Sequence, residues 1–335
     1  MGTLRRVIDL AAQRLEVGVV EYGARLAVVR TPDRDGVLAD VVLGLDDYSA
    51  DTAFLGATVG RFANRIDGGT FELDGRRYTV PCNEGEVALH GGPDAFDHRD
   101  FTADPVVDAD GARSVTLRRT SPDGENGFPG TLEVAVTYRV CGAELSIEHT
   151  ARTDAPTVVN LTNHAYWNLA GGGTVEDHVL HLPASAFVAV DDQLIPAGIA
   201  PVEGTPMDFR TPLPIGSRLR AATEQLRHAR GYDHAWVVDG SGLRLAARVT
   251  EPSSGRALEV LTDQPGVQFY SGNFLDGSAV GRGGRAWRQG DGLCLETQHL
   301  PDSPNQPDFP STVLRPGDRY ATTTLFRFGT SAGGR

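Results

Sequence analysis

The stretch Leu132-Glu133-Val134-Ala135-Val136-Thr137-Tyr138 decides the class of fold. Leu132, Val134, Val136 and Tyr138 fall at every second position, while Thr131, Glu133 and Thr137 take the places between. Side chains of an extended chain alternate between faces, so this run is a strand with one face turned to a core. Residues 144–150 repeat the pattern, Leu145 and Ile147 against Glu144, Ser146 and Glu148. Segments 243–249, 258–261 and 321–328 are further strand candidates. Asp74-Gly75, between Thr70-Phe71-Glu72-Leu73 and Arg76-Arg77-Tyr78-Thr79-Val80, marks a hairpin, because both turn positions tolerate positive φ. Asp239-Gly240 is a second hairpin signal. Helical periodicity is confined to 46–51 and 221–230. With 40 glycines and 20 prolines punctuating the runs, the expectation is an all-β chain folded as a large antiparallel sandwich or barrel with a few short helices.

The 335 residues exceed the usual domain size, yet one large β domain reaches it. The loops 121–130 and 277–292 are rich in glycine, yet the strand pattern continues unchanged across both. One domain over 1–330 is therefore expected, with 331–335 as a frayed tail. The formal net charge of −13 argues against a nucleic-acid or anionic-membrane partner. All 31 basic residues are arginine, which excludes Schiff-base chemistry on lysine. Cys82, Cys141 and Cys294 are odd in number and widely spaced, suggesting neither a disulfide framework nor a zinc knuckle; a reducing cytoplasm is the expected compartment. No apolar run at the N-terminus is long enough for a signal peptide, and none elsewhere approaches the roughly 18 residues of a membrane span.

Chemistry concentrates in Asn160-Leu161-Thr162-Asn163-His164-Ala165-Tyr166-Trp167-Asn168-Leu169-Ala170-Gly171. Alternation would place Thr162, His164, Tyr166 and Asn168 on one face, too polar for a core and suited to a polyhydroxylated ligand. By the same rule Tyr166 belongs with His164 and Trp167 with the core. Four other segments are unusual as plain structure. Gly60-Arg61-Phe62-Ala63-Asn64-Arg65-Ile66 alternates Arg61, Ala63 and Arg65 against Phe62, Asn64 and Ile66, and Arg65 offers a planar donor fork. Leu89-His90-Gly91-Gly92 sets a histidine on a turn open to close approach. Gly231-Tyr232-Asp233-His234-Ala235-Trp236 holds a carboxylate between aromatics. In Leu293-Cys294-Leu295-Glu296-Thr297-Gln298-His299, Glu296 shares a face with Cys294 and Gln298. A carboxylate buried there has a raised pKa, as a general base working near neutrality requires. His178/His181 and Glu296/His299 have helix-like metal spacing but lie in extended runs, so no metal site is expected. No Gly-x-Ser-x-Gly elbow is present.

Taken in order, these segments resemble the aldose 1-epimerase (galactose mutarotase) family over nearly the whole chain. Pro265-Gly266-Val267-Gln268-Phe269-Tyr270-Ser271-Gly272-Asn273 and Pro301-Asp302-Ser303-Pro304-Asn305-Gln306 add to the match. The resemblance implies a galactose mutarotase-like supersandwich that interconverts the anomers of a free hexose, without cofactor or metal, as a monomer or homodimer. It implies Glu296 as general base, His164 as general acid and His90 as a second site histidine. It implies Asn64, Arg65, Asp233 and Gln268 as groups holding the sugar. Phe101 and His299 stand where the family often has tryptophan and another aromatic, so they bear on substrate preference. Two alternatives are a hexose-phosphate epimerase using Arg282, Arg285 and Arg288, and a non-catalytic sugar-binding protein.

Overall fold

The computed structural model describes residues 7–12 and 14–331. The alternating strands form one ten-stranded antiparallel sheet. Its centre runs Ala112–Ser121, Leu132–Cys141, Glu144–Thr153, Tyr320–Thr330, Arg256–Thr262 and Arg244–Thr250. Burial alternates along Leu132–Cys141 and Glu144–Thr153 as the sequence pattern requires. The outer face carries cross-strand charge pairs such as Arg327–Glu144 at 2.8 Å. A second sheet of six strands runs Tyr166–Trp167, Leu293–Gln298, Gly266–Tyr270, Asp233–Val237, Ala186–Val190 and Pro196–Pro201. Val136, Ile147, Leu258 and Phe326 of the first sheet share one apolar core with Trp236, Val267, Phe269 and Leu295 of the second. That shared core makes the molecule a sandwich. Val7–Ala12, Leu15–Val20, Arg25–Pro32 and Leu38–Asp40 form a further four-stranded sheet.

The Asp74-Gly75 hairpin forms, with φ of 52° and 74° joining Thr70–Leu73 to Arg76–Thr79. Asp239-Gly240 is no hairpin: Asp233–Val237 pairs within the six-stranded sheet and Arg244–Thr250 within the ten-stranded one, so this turn crosses between layers. Residues 46–51 are not helical. The Asp51 carboxylate accepts the N–H groups of Ala53 and Leu55, a local turn that competes with helix. The helix expected over 221–230 is Glu224–His228. The stretch 277–292 is not a bare loop, because Asp276–Val280 pairs with Ala286–Arg288. No described helix is long and apolar enough to cross a membrane. Of the tail expected to fray, Ser331 donates its N–H to the Gly255 carbonyl at 2.7 Å, and 332–335 lie outside the described residues. So do residues 1–6 of the segment read for a signal peptide.

The run 160–171 is not one strand. Thr162–Asn163 pairs with Thr58–Val59, then Tyr166–Trp167 pairs with Leu293–Gln298. The chain bends between them, where the Ala57 carbonyl accepts the His164 N–H. Simple alternation therefore fails for Thr162 and Asn168, which are buried away from any shared polar face. Asn168 instead donates to the carbonyls of Gly173 and Asp291. It holds for the central pair: the His164 and Tyr166 rings are 5.0 Å apart, while Trp167 packs on Phe326 and Phe328 in the core.

Candidate active site

A cavity of about 210 Å³ lies against the six-stranded sheet. Two kinds of backbone build its walls. Leu293–Gln298 and Asp233–Val237 supply one wall, flanking Gly266–Tyr270. Every residue of Leu293–Gln298 is buried: Leu293 and Leu295 lie in the shared core, Cys294 packs in a second apolar cluster, and Glu296 faces the cavity. The opposite wall comes from two tight bends at Asn64 (φ 67°) and His90 (φ 53°). These bends interlock: the Asn64 carbonyl accepts the His90 N–H at 3.0 Å, and His90 Nδ1 accepts the Asn64 N–H at 3.1 Å.

Asn64, Arg65, His90, His164, Asp233 and Glu296 all line the cavity. The expected alternation over 60–66 fails here, since the left-handed turn at Asn64 brings Asn64 and its neighbour Arg65 to the same site. Arg61 goes elsewhere. Its guanidinium is buried, hydrogen-bonded to Ser121 Oγ and to the carbonyls of Ser121, Pro122, Pro129 and Gly130, where it clamps the loop 121–130. Gln268 does not line the cavity. It stands behind Asp233 and donates to Asp233 Oδ1 at 2.6 Å. Phe101 and His299 are also off the cavity, so neither forms its rim.

His164 Nε2 is 3.7 Å from Glu296 Oε1. Its other nitrogen, Nδ1, is 3.5 Å from Cys294 Sγ. Phe54 and Tyr166 pack on the His164 ring at 5.7 and 5.0 Å. Burial pushes the Glu296 pKa well above the ordinary carboxylate value, and the Asp233 charge raises it further against the pull of Arg65. Burial likewise lowers the His164 pKa to about 4. Both shifts favour the uncharged form of the pair over the carboxylate–imidazolium form, and the two forms hold the same number of protons. Glu296 Oε2 is buried with no hydrogen-bond partner among the described residues. Such an atom is costly unless a ligand satisfies it.

His90, His164 and Glu296 present ligand-type atoms within 4.8 Å of one another. They do not fit a metal ion. With Nδ1 accepting the Asn64 N–H, the neutral His90 ring carries its proton on Nε2 and offers a donor rather than a lone pair. Burial above all, with the Arg65 charge, holds the His90 pKa well below its usual value and favours the neutral ring. A fixed N–H suits a sugar oxygen. Arg65 is locked by Glu84, Nε to Oε2 at 2.8 Å and Nη2 to Oε1 at 3.2 Å, and lies 3.8 Å from Asp233 through Nη1.

Comparison with known proteins identifies the family. A family model described as aldose 1-epimerase matches residues 6–327. The chain belongs to the aldose 1-epimerase family. It is an isomerase by that membership. Galactose mutarotase of Bos taurus is 45% identical over 334 residues, covering 98% of this chain and 94% of the relative. The aldose 1-epimerase of Escherichia coli K12 is 39% identical over 322 residues, covering 93% and 91%. Among solved structures, an aldose epimerase homologue from C. elegans superposes with TM-score 0.87 at 34% identity, covering 98% of this chain and all of that one. A galactose 1-epimerase from Lactobacillus acidophilus also reaches 0.87, at 29% identity and 97% and 95% coverage.

The arginine cluster expected of a hexose-phosphate aldose 1-epimerase is not at the cavity. Arg282 pairs with Asp40 at 2.9 Å, Arg285 with Asp291 at 2.9 Å, and Arg288 is exposed; none lines it. Trp287, from the same hairpin, does line it. Sequence reading missed Trp287, Phe54, Tyr270 and Glu84. The signal available for Glu84 was an acid in the turn Asn83-Glu84-Gly85, five residues ahead of Leu89-His90-Gly91-Gly92.

Proposed function

We propose that the chain interconverts the α and β anomers of free galactose and glucose, with Glu296 as general base and His164 as general acid. The observation that carries this is the His164 Nε2–Glu296 Oε1 separation of 3.7 Å in a cavity that only a small ligand enters. Opening a hemiacetal needs a base on the anomeric hydroxyl and an acid on the ring oxygen. Either alone builds unfavourable charge, and each contributes ~10²–10⁴-fold. The one proton of the pair sits on His164 when the sugar is bound. Glu296 takes the hydroxyl proton, the C1–ring-oxygen bond breaks, and His164 gives its proton to the ring oxygen. Rotation about C1–C2 presents the other carbonyl face. The C5 hydroxyl then closes on C1, returns its proton to His164, and the new anomeric oxygen recovers one from Glu296. All atoms balance, and no cofactor enters.

His90 Nε2–H and the Arg65 guanidinium hold sugar oxygens, and Asp233, oriented by Gln268, accepts from hydroxyls away from C1. Asn64 sets the His90 turn and reaches the sugar beside it. The apolar core common to both sheets supports one domain over 7–330. The free thiols of Cys82, Cys141 and Cys294 support a reducing cytoplasm. The test is polarimetric relaxation of freshly dissolved α-galactose. Glu296→Gln is expected to lose ~10²–10⁴ of the catalysed rate. A rate near wild type removes Glu296 as the base.

A further inference from the structure

The cavity carries one guanidinium among its described lining residues, that of Arg65, and four carboxyl groups, those of Glu84, Asp233, Asp276 and Glu296. Arg65 keeps N–H groups on Nη1 for sugar oxygens, but its charge is already matched by neighbouring carboxyl groups. Glu84 takes Nε and Nη2, and Asp233 faces Nη1. The Arg65 side chain is 4% exposed, whereas that of Glu84 is 44% exposed, so Glu84 is the charged group of this pair that an incoming sugar meets. At the mouth, the Asp276 carboxyl is held below its ordinary pKa by the Ser278 hydroxyl and the Ser278 N–H. Two other arginines stand near the mouth without lining it: Arg230 stacks on Phe274, and Arg288 is the cross-strand neighbour of Asp276.

We propose that Glu84 makes this site charge-selective, admitting neutral hexoses and hexosamines as their ammonium ions while turning away uronic acids and phosphorylated sugars. The inference rests on the sugar-anomerising reading above and adds the substrate class. An anionic substituent approaching Arg65 must displace Glu84 or share a guanidinium already neutralised by two carboxylates. An ammonium has an easier approach. A carboxylate accepts about four hydrogen bonds, and Arg65 uses two of those on Glu84. The Glu84 side chain is 44% exposed, so a ligand can reach it. A Glu84 that served only to hold Arg65 straight would affect all sugars alike. A charge-selecting Glu84 separates them by sign.

The experiment compares kcat/KM for galactose, galactosamine and galacturonate, measured as anomer relaxation above the uncatalysed rate, below the amine pKa, at low and high salt. For the wild type, galactosamine is expected to exceed galacturonate roughly tenfold or more at low salt, with the ratio shrinking toward ~0.5 M salt as the charges are screened. Glu84→Gln, which keeps an acceptor and removes the charge, narrows the ratio by about three- to tenfold, and Glu84→Arg narrows it further. The proposal is overturned if galacturonate matches galactose in the wild type, if the ratio ignores salt, or if Glu84→Gln lowers all three sugars equally. The wild-type salt series needs no variant to fold. Galactose is the internal control: if it is not anomerised, the reading of the reaction fails, whereas a flat charge series with active galactose removes only the role of Glu84.

Discussion

The strands Leu132–Cys141 and Leu293–Gln298 belong to the two facing sheets and use the same backbone in opposite ways. Along the first, burial alternates and Glu133 stands in water, where its charge costs nothing. Along the second, every residue is buried, and the face away from the core carries Cys294, Glu296 and Gln298. Its polar atoms are poorly satisfied: Glu296 Oε2 and both terminal atoms of Gln298 have no partner among the described residues. A sheet gains no stability from such a face. The difference shows where the molecule is built to stand and where it is built to act.

Breaking the comparison at its strongest point means removing the acid partner. His164→Asn should lower anomerisation ~10²–10⁴-fold, whereas Glu148→Gln on the wetted face of the large sheet should leave it within about twofold, both read by polarimetry. Equal effects would abolish the distinction. The converse substitution lies in the shared core. Ile147→Ala should cost about 2–5 kcal/mol in urea unfolding while the folded fraction keeps its turnover.

Acid sharpens the contrast. His149, buried on the large sheet, has its pKa lowered to about 4 by burial alone. The unfolded chain binds this proton below about 6.5 and the folded chain does not, so stability falls as pH drops from about 6.5 toward 4. The expected loss from this residue is on the order of 3 kcal/mol, and His149→Phe should make that part of the pH–stability curve less steep. Activity follows different groups. Below about 4, His164 gains a second proton for the pair and the base is lost; above the raised pKa of Glu296 the acid is lost. A pH–rate profile flat between those limits is expected, and a profile centred on an unshifted histidine would contradict it.

The smallest effect is the most diagnostic. Glu296 has a folded-state pKa above its unfolded value, so its ionisation opposes folding as pH rises above about 4.5. Glu296→Gln should therefore raise Tm at pH 7 by about 1–3 °C while lowering turnover ~10²–10⁴-fold. A lower Tm would mean that Glu296 supports the sheet.

Where the strand alternates between core and water, sequence and structure agree, as in 131–138, 144–150 and the Asp74-Gly75 hairpin. Glu296, His164 and His90 were legible as site residues because family motifs carry them. Alternation failed at 60–66 and 160–171, where Asn64 adopts a left-handed conformation and the chain bends at His164 between two strand pairings. Both departures depend on hydrogen bonds to distant segments, such as the Asn64 N–H to His90 Nδ1, which no local pattern encodes. Glu84 was invisible for the same reason. Its meaning comes from Arg65, 19 residues earlier, and an acid in a glycine turn reads as an ordinary solvated charge.

In the proposed reaction the His164–Glu296 pair ends each turnover with the proton count it began with. Nothing but sugar need cross the mouth of the cavity. The catalyst therefore resets itself without drawing on the surrounding water, and its two directions are the same circuit run either way. Such a device has no preferred product and shortens only the time the sugar takes to reach its own equilibrium. Its throughput should be indifferent to the concentration and identity of the buffer.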